Sequence, residues 1–119
     1  CVRSAPDIEE TMARHGDTVW RVCLTALCRH ADAEDAFQNS FLKYALADDV
    51  QFREEEHRKA WLIRVASNTC RDMRRAAAVY LALYEGYTAP EIASMLDVPV
   101  NTVYSWIARG KKTLKEALS

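Results

Sequence analysis

Two runs of cations dominate the side chains that could do chemistry in this sequence. Arg58, Lys59, Arg64, Arg71, Arg74 and Arg75 fall between residues 57 and 75 with Asp72 as the single acid, a local balance of +5. Arg109, Lys111, Lys112 and Lys115 fall between 101 and 119 against Glu116, a balance of +3. Cations at this density suit a polyanion, whose phosphates they neutralise. The overall net charge of −1 hides them, because residues 32 to 56 hold eight acids against Lys43 and Arg53. The competing reading is a set of solvated helix faces with acidic partners nearby.

Catalytic chemistry has little to work with. His15, His30 and His57 stand apart from any nucleophile or metal-ligand spacing, and no glycine loop could cradle a phosphate, so we expect no enzyme, no cofactor and no small-molecule substrate. Cys1, Cys23, Cys28 and Cys70 make no CxxC pair. A site from Cys23, Cys28 and His30 would match no usual zinc pattern, so the cysteines read as buried thiols and no metal is expected. No apolar run approaches the roughly 18 residues of a membrane span, which predicts a cytosolic chain with no membrane insertion.

The elements that must carry these charges are helical. Glycine and proline number three each in 119 residues, half the residues are hydrophobic, and no alternating strand pattern competes, so the expected class is all-α. Ile8, Met12, Val19, Val22, Cys23, Ala26 and Leu27 recur at helical spacing and predict a helix over 7–30, bent at Gly16 or split there. Asp32 is placed to cap a second helix, with Phe37, Phe41 and Tyr44 as its buried stripe and Asp35, Gln38 and Asn39 off it. A third helix is expected over 54–75, since acids crowd its start, bases crowd its end, and Trp61, Leu62, Val65, Ala66, Thr69 and Met73 repeat at its period.

Residues 86 to 110, GYTAPEIASMLDVPVNTVYSWIARG, hold the most specific pattern. Gly86 can end a helix in the left-handed conformation, and Thr88 with Glu91 forms a capping box for the next, with Pro90 in its first turn. Ile92, Ala93 and Leu96 point inward, Asp97 occupies a tight turn, Val98 plugs the gap, and Val103 with Trp106 or Ile107 anchors a second helix. Apolar residues so spaced, with a small Ala93 where backbones approach, are what a helix-turn-helix requires. Its second helix would enter the major groove of DNA. Val100, Asn101, Tyr104 and Ser105 would reach bases or phosphates, Thr102 and nearby amides would hold a phosphate, and Arg109, Lys111 and Lys112 would supply backbone charge.

With both halves read, the chain resembles the extracytoplasmic-function, group 4, sigma factors of RNA polymerase, of the sigma-70 family with its regions 2 and 4. The stretches that carry this are ADAEDAFQNSFLKYAL and RKAWLIRVASNTCRDMRR in the first half and YEGYTAPEIASMLDVPVNTVYSWIARGKKTLKEAL in the second. The resemblance implies a three-helix-type region 2 bundle over 1–75 and a region 4 helix-turn-helix over 79–119. It also implies that Glu34, Asp35, Gln38 and Asn39 dock on the clamp helices of the polymerase core's largest subunit. Trp61, Arg64, Asn68, Arg71, Asp72 and Arg75 would grip or support the minus-ten strand of promoter DNA, with a loop near 49–57 shaping a base pocket. The second module would read the minus-thirty-five element, and an anti-sigma factor is an implied partner. Tyr104 and Trp106 depart from the family, which has Lys or Arg there.

The join departs further. Only Ala76 to Glu85, ten residues, separate the two motifs, where the family has a longer linker and a further helix. Ten residues reach at most about 35 Å when extended. We therefore expect residues 76–78 to mark a missing linker. Two rivals remain at this level: a helix-turn-helix regulator with an N-terminal interaction domain, and a shortened sigma-like protein that binds an anti-sigma partner.

Overall fold

A computed structural model describes residues 2–27 and 29–118. Cys1, Cys28 and Ser119 lie outside them, and with them the thiol assignments for Cys1 and Cys28. The described residues form five helices and no strand: α1 (Ala5–Ala26), α2 (His30–Leu46), α3 (Glu55–Leu83), α4 (Ala89–Leu96) and α5 (Val100–Leu118). They divide into two compact units, Cys1–Arg71 and Asp72–Ser119.

In the first unit α1 is one helix, not two. Ser4 caps it by accepting from the Asp7 amide, and Pro6 sits in the first turn where a missing amide hydrogen costs nothing. Gly16 lies buried inside it without a break, because an isolated glycine weakens a helix but does not end it. A methyl group there would meet Met12 and Phe37 only at 3.8 and 3.9 Å, ordinary contact. Next, α2 begins two residues before the expected Asp32. Arg29 is its cap residue without a side-chain bond, and Asp32 lies in the first turn, where it faces the helix's positive end.

Val19, Cys23 and Leu27 from α1, Ala33, Ala36, Phe41 and Tyr44 from α2, and Leu62, Ala66 and Cys70 from α3 are buried. Small residues at Ala33, Ala36 and Ala66 leave room for helices to approach, and Leu62 and Tyr44 fill the space between. Ser40 and Thr69 are buried too, each satisfied by donating to a carbonyl one turn back, on Ala36 and Val65. Lys43 adds a bond from α2 to the Thr69 hydroxyl at 2.8 Å.

The N-terminal segment is tied down by Arg3. Its guanidinium donates to the carbonyls of Tyr44, Ala47 and Val50 at 3.0, 2.6 and 2.8 Å, lies 4.4 Å above the Tyr44 ring, and pairs with Asp7 at 3.6 Å. A cation at the carbonyl end of α2 adds donors to the carbonyls there and meets the negative end of the helix dipole. Below it the Tyr44 hydroxyl donates to Asp7 at 2.6 Å, with the Thr11 hydroxyl 3.0 Å away. That bond holds the Asp7 carboxyl below its ordinary range, and burial together with Asp7 pushes Tyr44 up.

The third helix, α3, continues through Ala76–Ala78 to Leu83 as uninterrupted helix. The expected end at Arg75 and separate helix from Val79 are therefore replaced by one helix in the sequence as it stands. Three alanines, the best helix formers, with no glycine or proline beside them give the backbone no reason to stop. The first unit ends at Arg71, four residues before the expected boundary.

In the second unit the last turns of α3 join α4 and α5 around Ala78, Ala89, Ile92, Val103 and Trp106, with Leu81, Ala82, Ala93, Leu96, Val98, Val100 and Ile107 packed on them. Gly86 (φ 76°) and Asp97 (φ 55°) both take the left-handed conformation that the turns demand. Thr88 and Glu91 form the capping box in both directions, which holds Glu91 below the ordinary carboxylate range. Arg74 donates to the carbonyls of Leu96 and Asp97, closing the end of α4. At Gly110, a methyl group would come within 2.6 Å of Val79, so only glycine lets α5 approach the end of α3 this closely.

Candidate nucleic-acid and polymerase interfaces

One side of α2 buries Ala33, Ala36, Ser40, Phe41 and Tyr44, which leaves Glu34, Asp35, Gln38 and Asn39 exposed on the other. Among the described residues none of these four spends its polar group on a hydrogen bond or ion pair within the chain. Leu42 and Leu46, 56% and 57% exposed, continue this surface toward the end of the helix. The sequence reading passed over them, although their spacing, off the Phe37, Phe41 and Tyr44 stripe, was visible.

Along α3, Arg64, Asn68 and Arg71 are exposed at spacings of four and three, so they share one helical face. Arg71 donates to the Asn68 side-chain carbonyl at 3.0 Å, which engages that oxygen and leaves the amide nitrogen of this exposed residue to donate. Arg75 pairs with Asp72 at 3.1 Å; both lie in the second unit. Asp72 thus supports an arginine rather than standing alone. Trp61 is half-buried in an aromatic group, its ring 6.0 Å from Tyr44 and 5.7 Å from Phe52.

Phe52, which the sequence reading did not single out, anchors the loop before α3. Its ring lies between Arg3 at 5.3 Å and Arg58 at 5.2 Å and against His57 at 5.2 Å. Arg58 also pairs with Glu55 at 2.7 Å, and Glu55 accepts from His15 at 2.9 Å with Arg14 3.5 Å away. The His15 bond and these arginines hold Glu55 below the ordinary carboxylate range. Arg58 and Arg74 therefore serve the fold rather than a polyanion.

On α5, Asn101, Tyr104, Ser105, Lys111 and Lys112 are exposed on the side opposite buried Val103 and Trp106, and Arg109 is exposed beside them. Val100 departs from the expectation of an outward contact, since it packs on the core with Val98 and Ile107. Trp106 is buried at 8% exposure, while Tyr104 is 57% exposed. The amides of Thr102 and Val103 already donate to the Pro99 carbonyl at 3.0 and 3.3 Å, which takes them away from the phosphate they were expected to hold. Thr102 keeps its hydroxyl, half-buried at the start of the helix.

Cys23 and Cys70 meet inside the first unit, and burial first, then the neighbouring thiol, pushes Cys23 up to about 12. Such a thiol holds almost no thiolate at neutral pH and is inert. Among the described residues no group of His, Cys, Asp and Glu is placed to hold a metal ion, and no helix is long and apolar enough to cross a membrane.

A helix-turn-helix with an exposed basic reading helix defines a DNA-binding protein. The chain matches Sigma-70 region 2 over residues 11–79 and Sigma-70, region 4 over residues 74–114. It belongs to the sigma-70 family, and this pairing of regions is that of an extracytoplasmic-function sigma factor. Such a factor directs RNA polymerase to promoters, so the polymerase core and promoter DNA are its partners. The family is one of non-catalytic transcription regulators. No curated protein matches the chain.

Proposed function

We propose that the exposed polar side of α2, through Glu34, Asp35, Gln38 and Asn39, docks on the clamp helices of the polymerase core's largest subunit. The face of α3 bearing Arg64, Asn68 and Arg71, with Trp61 behind it and the Asp72–Arg75 pair further along the helix, then grips the minus-ten strand and helps open it. Asn101, Thr102, Tyr104, Ser105, Arg109, Lys111 and Lys112 read the minus-thirty-five element, with Val100 supporting them from the core. The observation that carries this reading is the exposed Arg64, Asn68 and Arg71 face, where an amide whose oxygen is held by Arg71 stands between two arginines along the helix. An unstacked base gains hydrogen bonds from such a donor while the arginines neutralise the phosphates beside it.

Serving both elements needs reach. The two family matches overlap over residues 74–79, and residues 76–83 are helical, which advances the chain only about 1.5 Å per residue. We therefore hold to a division into 1–75 and 79–119 with further linker encoded at 76–78. Sequencing the gene between Arg75 and Val79 tests it, and an uninterrupted coding sequence refutes it. The protein works in the cytoplasm, where the polymerase is, and an anti-sigma factor covering these faces is the expected regulator.

Reconstituted transcription with core polymerase tests the central reading. Asn68→Ala and Arg71→Ala should impair strand opening, read by permanganate reactivity of unpaired thymines, more than closed-complex binding. The reverse pattern removes the minus-ten assignment, and no initiation from any template in a genome-wide pool sinks the whole.

A further inference from the structure

Five of the ten lysines and arginines of the first unit are already committed. Arg3 serves the end of α2, Arg14 and Arg58 serve Glu55, Lys43 serves Thr69, and Arg71 serves Asn68. Arg21 and Lys59, two of the other five, share a groove. Among the described residues neither makes an ion pair or hydrogen bond, yet the two line one shallow groove between α1 and α3. Three hydroxyls line it with them, Thr18 and Thr25 from α1 and Ser67 from α3, and no carboxylate does.

The α1 residues stand at spacings of three and four, so Thr18, Arg21 and Thr25 share a face by helix geometry. Lys59 and Ser67 lie two turns apart on α3, on the flank beside its exposed face. Ser67 is the immediate neighbour of Asn68 and lies one turn from Arg64 and Arg71, so the groove opens next to the surface assigned above to the minus-ten strand. Two cations with hydroxyl donors and no carboxylate in the lining match the needs of a phosphodiester, which offers charged acceptor oxygens and nothing to donate.

We propose that this groove is a second phosphate-binding site for promoter DNA, in which Arg21 and Lys59 neutralise backbone phosphates adjoining the nucleotides held by α3. It rests on the minus-ten reading of α3 and extends it to α1, a helix given no DNA contact so far. The groove reads no base, since none of its donors is buried deeply enough to exclude a wrong partner, so its effect is on affinity and salt dependence alone.

The test uses the full chain bound to core polymerase and a promoter fragment, with binding measured over a range of salt. Each phosphate contact contributes about 0.7 to 0.9 to the slope of log affinity against log salt. The Arg21→Ala/Lys59→Ala variant should lower that slope by about 1.5, so that going from about 50 to about 200 mM salt weakens it roughly ten-fold less than the parent protein. Preference among minus-ten sequences should not change. Arg21→Lys/Lys59→Arg, which keeps both charges, should keep the parent slope, and if it loses slope equally the effect is structural and the proposal is overturned. An unchanged slope in the alanine variant overturns it too. A parallel titration with inorganic phosphate, followed by NMR shifts of the Arg21 and Lys59 amides, separates the two phosphate sources. Saturable shifts together with an unchanged DNA slope assign the groove to a small phosphate and overturn the DNA assignment. If Arg64→Ala and Asn68→Ala leave promoter opening intact, the α3 reading fails instead, independently of the groove.

Discussion

The two units hold their geometry in different ways. In the first, the guanidinium groups of Arg3, Arg14 and Arg58 are spent on helix ends, on Glu55 and on the rings of Tyr44 and Phe52. In the second only Arg74 closes a helix end, the Arg75–Asp72 pair stays at the surface, and Arg109, Lys111 and Lys112 are exposed. A three-helix bundle joined by a loop needs cross-links between distant segments, and polar bonds supply them. The helix-turn-helix takes its geometry from a capping box, a left-handed Asp97 and one small apolar cluster, and leaves Arg109, Lys111 and Lys112 at the surface. The physical lesson is that a basic stretch in sequence measures the charge present, whereas its availability depends on what the fold has consumed.

The sharpest way to break this contrast is in the cores. Ile92→Ala and Leu62→Ala each remove a fully buried side chain and should each cost about 3 kcal/mol. The smaller second unit has less stability to lose, so Ile92→Ala should unfold it at 25 °C, while Leu62→Ala leaves the first unit folded with a lowered melting temperature. Residue-resolved hydrogen exchange reads both, and equal responses would remove the distinction. Arg3→Ala comes next, at about 2 kcal/mol, because it removes three side-chain bonds to carbonyls at and beyond the end of α2 and a ring contact. Arg74→Ala, with fewer bonds at a more exposed place, should cost about 1 kcal/mol and loosen the turn at Asp97.

Acid should act mainly on the first unit. Asp7 and Glu55 are held below their ordinary values of 3.8 and 4.5. A carboxyl lowered in the folded state adds stability above its unfolded pKa and loses it as pH falls through the folded one. Melting temperature should therefore be level from pH 7 to about 5 and fall below about 4.5, with Asp7→Asn flattening the fall. The smallest effect expected is a gain. Gly16→Ala meets only ordinary contacts in the middle of α1 and should stabilise the first unit by about 0.5–1 kcal/mol, read by denaturant midpoint. Gly110→Ala, against Val79, should destabilise the second unit by about 1–3 kcal/mol. The two substitutions are chemically identical and opposite in sign.

Much of the second unit was legible beforehand. Thr88 and Glu91 cap a helix through bonds three residues apart, Asp97 and Gly86 answer a local backbone demand, and Ile92, Val103 and Trp106 follow helical spacing, so local rules sufficed. The first unit was legible in its stripes and less so in its joints. No spacing rule links Arg3 to Ala47 and Val50, Phe52 to Trp61, or His15 to Glu55, because each bond closes between segments brought together only when the helices pack. At Gly16 the helix does not split, and the cap falls on Arg29 rather than Asp32, for a related reason. Local preference allows several outcomes at a glycine or an aspartate, and the packing of α1 and α2 selects among them.

The sequence by itself determined the helical class, the helix-turn-helix and the two basic stretches, since periodicity, capping chemistry and charge are properties of neighbours along the chain. Only the tertiary structure decided which cations remain available. It committed Arg58 to Glu55 and Phe52, and Arg74 to the end of α4, and left Arg21, Lys59 and Arg64 without partners among the described residues. The reason is that a guanidinium is satisfied by whichever acceptors packing brings within about 3 Å, and distance along the chain says nothing of that.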